Sequence, residues 1–150
     1  MKFNLLLLIL TTLTTVTLSQ LPDGIYIIQS AKNEEFWTAK YPNIILGQSP
    51  GLGWKLNKLP DGNYLIFDRI SNLAVQFNGP YRPLILAPKD ENNVTQKWKI
   101  KSVGERTFIC SEAFIPTMCA TTPLSGEEVI ASIEMIGSPL QEWRFLTLDP

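Results

Sequence analysis

The chain has 150 residues, of which 45% are hydrophobic and 18% charged, so it is too apolar for a disordered polymer and long enough for one ordinary domain. Thirteen basic and 14 acidic residues give a formal net charge of −1, which favours neither a nucleic acid nor an anionic membrane as a partner. Histidine is absent, which excludes Ser-His-Asp and Cys-His catalytic sites and histidine-ligated metals, and we expect no enzyme, metal site or cofactor.

The start of the chain has the layout of a secretory signal peptide. A lysine precedes an unbroken apolar run, and the small residues Thr17 and Ser19 precede a cleavage position before Gln20. A membrane anchor is the alternative, but the apolar run is shorter than the roughly 20 residues that a span needs. We therefore expect a secreted, extracellular protein in which residues 1–19 are removed and residues 20–150 form one domain.

The next feature in chain order is a repeated motif. Leu-Pro-Asp-Gly-x-Tyr occurs at residues 21–26 and again at 59–64, a shift of 38 residues. A weaker third copy at 104–108 puts Phe108 in the tyrosine position. Asp-Gly before an apolar segment is typical of a turn, because glycine tolerates the positive φ that such a corner requires. A motif that recurs in this way predicts internal structural repeats.

The tryptophans follow the same spacing. Trp54, Trp98 and Trp143 are 44 and 45 residues apart, and each is followed by a basic and an apolar residue. The chain therefore divides into three units of about 40 to 45 residues, at about 21–58, 59–103 and 104–147.

Within each unit the hydrophobic pattern is that of short strands. Apolar residues alternate with period two around Tyr26 and Tyr64, proline and glycine recur at short intervals, and no helical stripe lasts three turns. Each unit has room for about four strands, so we predict an all-β domain with pseudo-threefold symmetry, a β-trefoil. Aromatic residues that recur in every unit are expected in a shared core: Tyr26, Tyr64, Phe108, Trp54, Trp98 and Trp143.

Two further features depend on secretion. Cys110 and Cys119 are the only cysteines, and in an oxidising compartment we expect a disulfide between them, with two buried free thiols as the alternative. Asn93 begins the only glycosylation sequon, Asn93-Val94-Thr95, and is expected on a surface loop if it is modified. Sequons are often left unmodified, so both outcomes stay open.

Two of the repeats carry a known signature. Gln96-Lys97-Trp98 and Gln141-Glu142-Trp143 resemble the Gln-x-Trp motif of ricin B-type lectin domains, whereas the first unit has Leu52-Gly53-Trp54. The resemblance covers the chain after the signal peptide and implies a non-catalytic carbohydrate-binding protein. Gln96 and Gln141 are expected to be buried and to bond the backbone at the repeat junctions.

The sugar site that the resemblance implies is incomplete in this sequence. The family has an aspartate in the second strand of a repeat, and the matching positions are about Ala39, Gln76 and about Thr121. The aromatic platform is also missing from the second and third units. The family's galactose-type mechanism is therefore not transferred, and any sugar binding must use other residues.

Aromatic and amide residues at two turns are the remaining candidates for ligand binding. Amides can pair with sugar hydroxyls and an aromatic ring can stack on a sugar, but each group could also be an ordinary hairpin turn with a half-buried ring. The candidates are Gln76, Asn78 and Tyr81 in the second unit, and Trp37, Tyr41 and Asn43 in the first.

Protease inhibition is the alternative function. The repeated motifs are also similar to those of small mushroom serine protease inhibitors, which need only a rigid exposed loop. Proline-containing loops around Pro88 and Lys89, and around Ile115 and Pro116, are the candidates. We expect a monomer whose partners are glycans or glycoproteins, or alternatively a secreted protease, with no role for nucleic acid or membrane.

Overall fold

Short antiparallel strands are the main regular secondary structure of this computed structural model, which describes residues 20–148; the predicted signal peptide lies outside these residues. Two 3-10 turns, Val94–Gln96 and Pro139–Gln141, are the helical segments of this range. Within it, no helix is long and apolar enough to span a membrane. The strands are β1 Gly24–Ser30, β2 Phe36–Lys40, β3 Asn43–Gly47, β4 Trp54–Lys58, β5 Tyr64–Asp68, β6 Ala74–Gln76, β7 Ile85–Ala87, β8 Trp98–Val103, β9 Arg106–Ser111, β10 Met118–Thr121, β11 Ile130–Ile133 and β12 Trp143–Thr147.

The first and fourth strands of each unit form a closed barrel. In ring order the pairs are β1–β4, β4–β5, β5–β8, β8–β9, β9–β12 and β12–β1, all antiparallel. The second and third strands of each unit form hairpins, β2–β3, β6–β7 and β10–β11. Six barrel strands capped by three hairpins constitute a β-trefoil, so the predicted all-β class and fold are confirmed.

The three hairpins are joined by a ring of backbone hydrogen bonds. The Ile44 N–H donates to the Leu84 carbonyl at 3.2 Å, Leu84 N–H to Val129 at 2.9 Å, and Val129 N–H to Ile44 at 2.9 Å. The three residues are fully buried, so their backbone N–H and carbonyl groups cannot hydrogen-bond to water and instead satisfy one another. The ring therefore fixes the position of every hairpin tip.

Tryptophan side chains fill the centre of the core. Trp54, Trp98 and Trp143 are buried, as predicted, and a fourth ring, Trp37, packs edge-on against two of them with centroid distances of 5.8 Å to Trp54 and 5.4 Å to Trp143. Trp37 is only 1% exposed. It is therefore a core residue and cannot stack on a ligand, which corrects its assignment to a ligand site.

The third repeat is offset by one residue from its predicted alignment. Tyr26 lies opposite Trp54 and Tyr64 opposite Trp98, but the residue opposite Trp143 is Thr107. Phe108 is buried, yet it packs with the two cysteines in a separate cluster. Because side chains of a strand alternate between faces, this one-residue difference moves Phe108 to the outer face of the barrel.

The predicted disulfide is present. Cys110 in β9 lies directly opposite Cys119 in β10, and their sulfur atoms are bonded. The equivalent pair in the second unit is Phe67 opposite Ala74, which packs in a small cluster of its own. The disulfide thus replaces an apolar contact at the base of the third hairpin.

Replacement of Trp37 tests its role in the core. Trp37→Ala should lower the free energy of unfolding by about 3–5 kcal/mol because it leaves a large cavity. Trp37→Phe should cost less, since it keeps most of the packing and removes an indole N–H that has no partner among the described residues. Urea denaturation measures both, with the exposed Tyr41→Ala as a control that should change stability by less than about 0.5 kcal/mol.

Candidate functional site

The tryptophan indoles define which residues are equivalent in the three units. Each indole N–H donates to a carbonyl in the second strand of its own unit: Trp54 to Trp37 at 3.0 Å, Trp98 to Val75 at 2.9 Å and Trp143 to Ala120 at 3.0 Å. The next residue in each strand is then the position of the family aspartate. It is Gln76 and Thr121, as expected, but in the first unit it is Thr38 and not Ala39.

The two Gln-x-Trp glutamines are structural, as predicted. Gln96 accepts a hydrogen bond from the Asp90 N–H at 2.8 Å and donates to the Pro88 carbonyl at 2.8 Å. Gln141 likewise accepts from the Met135 N–H at 2.7 Å and donates to the Ile133 carbonyl at 2.8 Å. Both side chains are buried and fasten the loop that precedes the tryptophan.

Gln76 belongs to the same structural network. Its Oε1 accepts from Gln96 Nε2 at 3.1 Å and from Asn93 Nδ2 at 3.4 Å. Asn93 also accepts from the N–H and hydroxyl of Thr95, at 3.0 and 2.6 Å, and so caps a 3-10 turn. The side-chain oxygen of Gln76 is therefore already engaged in hydrogen bonds that stabilise the fold. Asn78 is exposed and has no side-chain hydrogen bond among the described residues.

The two candidate tyrosines occupy equivalent hairpin tips. A second ring of backbone hydrogen bonds, in which Leu86 donates to Pro42 at 2.7 Å and Ala131 to Arg82 at 3.1 Å, aligns Tyr41 with Tyr81. Tyr41 is 75% exposed and Tyr81 61% exposed. Tyr81 has a φ of 59°, unusual for a bulky residue, and its N–H is held by the Ala131 carbonyl at 2.7 Å. Both rings thus face solvent, and the backbone of Tyr81 is held in place.

In the third unit the equivalent tip is the loop of residues 122–129 between β10 and β11, and this loop borders an open cavity. The cavity has a volume of about 440 Å³ and is lined by the loop residues Pro123 to Glu128 together with Ile130. This size falls within the range of ligand pockets. Its wall combines apolar side chains with two adjacent carboxylates, Glu127 and Glu128.

The first hairpin reaches across to these carboxylates. The Lys40 ammonium lies 2.6 Å from Glu127, and Asn43 Nδ2 donates to Glu128 at 2.9 Å. The hydrogen bond and the charge of Glu127 raise the pKa of Lys40, so the lysine stays protonated. We call the cavity together with Lys40, Tyr41 and Asn43 the cap site.

Sequence reasoning identified only part of the cap site. Tyr41 and Asn43 were candidates, but Lys40, Glu127 and Glu128 were not. Glu127 is 87 residues from its partner Lys40, and no local spacing connects them. The sequence indicates this contact only through its threefold repeats, because the tip of the third hairpin lies next to the tip of the first once the three units close into a ring.

The two candidate inhibitor loops differ in whether their residues already make contacts within the protein. In the first loop the Pro88 carbonyl accepts from Gln96, and the Lys89 ammonium lies 3.0 Å from Glu91 and 5.2 Å from the centre of the Phe67 ring. In the second loop Ile115 is 92% exposed. Only the Ile115 loop therefore presents an uncommitted apolar side chain.

Comparisons with known proteins support the fold. No protein-family model matches this sequence, and no curated protein matches it either. Among solved structures, the designed threefold-symmetric protein ThreeFoil superposes with a TM-score of 0.75 at 19% identity, covering 84% of this chain and 100% of its own. A salivary protein of the cysteine- and tryptophan-rich family from a Culex mosquito superposes with a TM-score of 0.73 at 16% identity, covering 88% and 99%.

A lectin from Polyporus squamosus, solved with a sialylated trisaccharide, superposes with a TM-score of 0.71 at 18% identity. The superposition covers 83% of this chain and 49% of the lectin. At these identities the likeness establishes the β-trefoil fold and nothing further.

Replacement of Gln76 tests whether its side chain stabilises the fold. Gln76→Ala should lower the free energy of unfolding by about 1 kcal/mol or more, because Gln96 and Asn93 lose an acceptor. The neighbouring exposed Asn78→Ala should change it by less than about 0.5 kcal/mol. Thermal or urea denaturation of the two variants makes the comparison, and equal stability would place Gln76 outside the network.

Proposed function

We propose that this protein is a secreted β-trefoil that binds carbohydrate at the cap site and catalyses no reaction. The observation that carries the proposal is the cavity of about 440 Å³ whose carboxylates are held by side chains of another repeat. Secretion is supported by the Cys110–Cys119 disulfide, since such bonds persist in oxidising compartments.

The chemistry of the cap site suits a sugar. Ionised carboxylates accept hydrogen bonds from hydroxyl groups, and those to charged acceptors are among the stronger kinds. Lys40 and Asn43 fix one oxygen of each carboxylate and leave the other available. Pro123, Leu124 and Ile130 supply an apolar wall for the C–H face of a ring. Tyr41 is exposed and lies in the chain between Lys40 and Asn43, the two residues that contact the carboxylates, so its ring is the nearest aromatic candidate for stacking on the sugar.

A glycan array identifies the ligand, and point variants then locate the site. Tyr41→Ala and Glu128→Gln should each weaken binding of the best glycan about tenfold or more, as measured by titration calorimetry. Tyr81→Ala is the matched control, because it removes the equivalent tyrosine of the second hairpin, and it should change the affinity less than about twofold.

The outcomes of this experiment are distinct. A loss of binding with Tyr81→Ala but not with Tyr41→Ala would move the site to the second hairpin and reject the cap site. An array without any binding would reject carbohydrate recognition itself.

Protease inhibition is the second candidate, and the exposure of Ile115 favours it. The loop that carries Ile115 is held at its base by the disulfide and by the Glu134 N–H, which donates to the Thr117 carbonyl at 3.0 Å. Phe114 packs against Phe77, with ring centroids 6.3 Å apart. A loop fixed at both ends loses little entropy on binding, which is what an inhibitory loop requires.

A panel of secreted proteases tests this second function. If it holds, the protein should inhibit a protease whose primary pocket accepts aliphatic side chains, and Ile115→Asp should raise the inhibition constant about a hundredfold, since a charge would enter an apolar pocket. Leu124→Asp, on another exposed loop, is the control and should have no effect. Inhibition that survives Ile115→Asp would exclude this loop.

A further inference from the structure

The end of the barrel at which β1, β5 and β9 begin is closed unevenly. Tyr26 and Tyr64 are buried there, and their hydroxyls donate to the carbonyls of Pro22 and Leu21, each at 2.7 Å. Burial raises the pKa of both tyrosines, with a further contribution from Asp23, so both stay protonated. At the third equivalent position stands the much smaller Thr107. We call Tyr26 and Tyr64, which fill this end of the barrel, aromatic plugs; the third unit has no aromatic plug, because Thr107 is at the equivalent position.

The strand β8 borders this gap. Its ladder with β5 consists of the single pair Tyr64 and Trp98, so among the described residues the rest of β8 has a partner strand only in β9. Ser102 lies directly opposite Thr107, which puts both side chains on the same face of the sheet. Ile100, two residues earlier on that face, is half-buried, whereas its counterpart Leu56 in the first unit is 1% exposed.

A cavity of about 350 Å³ lies along β8, and its lining includes Ser102, the cross-strand partner of Thr107, but not Thr107 itself. The Tyr64 ring, Ile100 and Ser102 line it together with Gln20, Asp61 and the lysines of β8. The volume is at the lower end of the roughly 300–1,000 Å³ that is usual for ligand pockets, which fits a molecule of one or two rings. The Ser102 hydroxyl makes no hydrogen bond with another described residue.

The charged groups around the cavity are already neutralised. Lys99 lies 2.7 Å from Glu112, and Lys101 lies 3.2 Å from Glu134. Asp61 lies 3.0 Å from Lys97, and hydrogen bonds from the Asn63 N–H and from Lys97 lower the pKa of Asp61, which keeps the pair ionised. Because the ammonium groups are directed to their partners, the lysines offer mainly their aliphatic stems. Among the described residues that line the cavity, a ligand therefore meets no uncompensated side-chain charge.

We propose that this cavity binds a small neutral aromatic molecule with one hydrogen-bonding group, its ring against Ile100 and Tyr64 and its polar group at the Ser102 hydroxyl. An indole or a naphthol has this chemistry. The site is separate from the cap site and does not depend on carbohydrate binding, since it lies among the strand ends of the barrel and not among the hairpins.

Titration of the protein with indole, followed by nitrogen–proton correlation spectra, tests the proposal. Saturable shifts should be confined to residues 61–64 and 99–107, with half-saturation below about 1 mM. Thr107→Tyr restores the third aromatic plug and should weaken indole binding about tenfold or more; Ser102→Ala should weaken it about threefold to tenfold.

Ser125→Ala, in the cap loop, is the control for Ser102→Ala and should leave indole binding unchanged. Undiminished binding to a folded Thr107→Tyr variant would overturn the proposal, as would shifts centred on other residues or no saturation at all. If Thr107→Tyr does not fold, an unchanged affinity of Ser102→Ala for indole decides against it.

Discussion

The ring of three backbone hydrogen bonds between Ile44, Leu84 and Val129 is the constraint on which the rest of this structure depends. The three groups are fully buried, so each would be unsatisfied if any hairpin moved away. The partners are 40, 45 and 85 residues apart in the chain, and no single unit can complete the ring. The cap site exists because this ring brings the tip of the third hairpin against the tip of the first.

The backbone is close to symmetric, but the side chains are not. Trp37 occupies the position held by Val75 and Ala120 in the other units, and its ring fills the centre of the core that they leave open. The first unit in turn lacks the buried glutamine that fastens the loops before Trp98 and Trp143. The three units therefore do not offer the same surface. The first two hairpins each carry an exposed tyrosine, the third hairpin borders an open cavity, and a second cavity lies along β8.

The main features of the fold were predictable because the repeats that produce its symmetry are visible in the sequence. Leu-Pro-Asp-Gly-x-Tyr and the spacing of the tryptophans identify repeats, and residues that recur at one point of every repeat have to meet at the symmetry axis. This reasoning correctly predicted the burial of the residues that recur between the units, namely Tyr26, Tyr64, Trp54, Trp98, Trp143, Gln96 and Gln141. The disulfide was predicted separately, from the two cysteines of a protein expected to be secreted. Reasoning from the repeats failed where they differ. Phe108 was aligned with Tyr26 by residue type, although strand pairing aligns Thr107, and one residue reverses the face of a strand.

The sequence alone determined the architecture: three repeats, short strands and a shared aromatic core, since hydrophobic period and turn residues act locally and recur in each unit. Only the tertiary structure decided which side chains are available for binding. Trp37 and Tyr41 are four residues apart and look alike in the sequence, but one points into the core and the other into solvent. The carboxylates of the cap site meet Lys40 and Asn43 only after the three units close, because contacts between units depend on the register of the whole barrel and on no single segment.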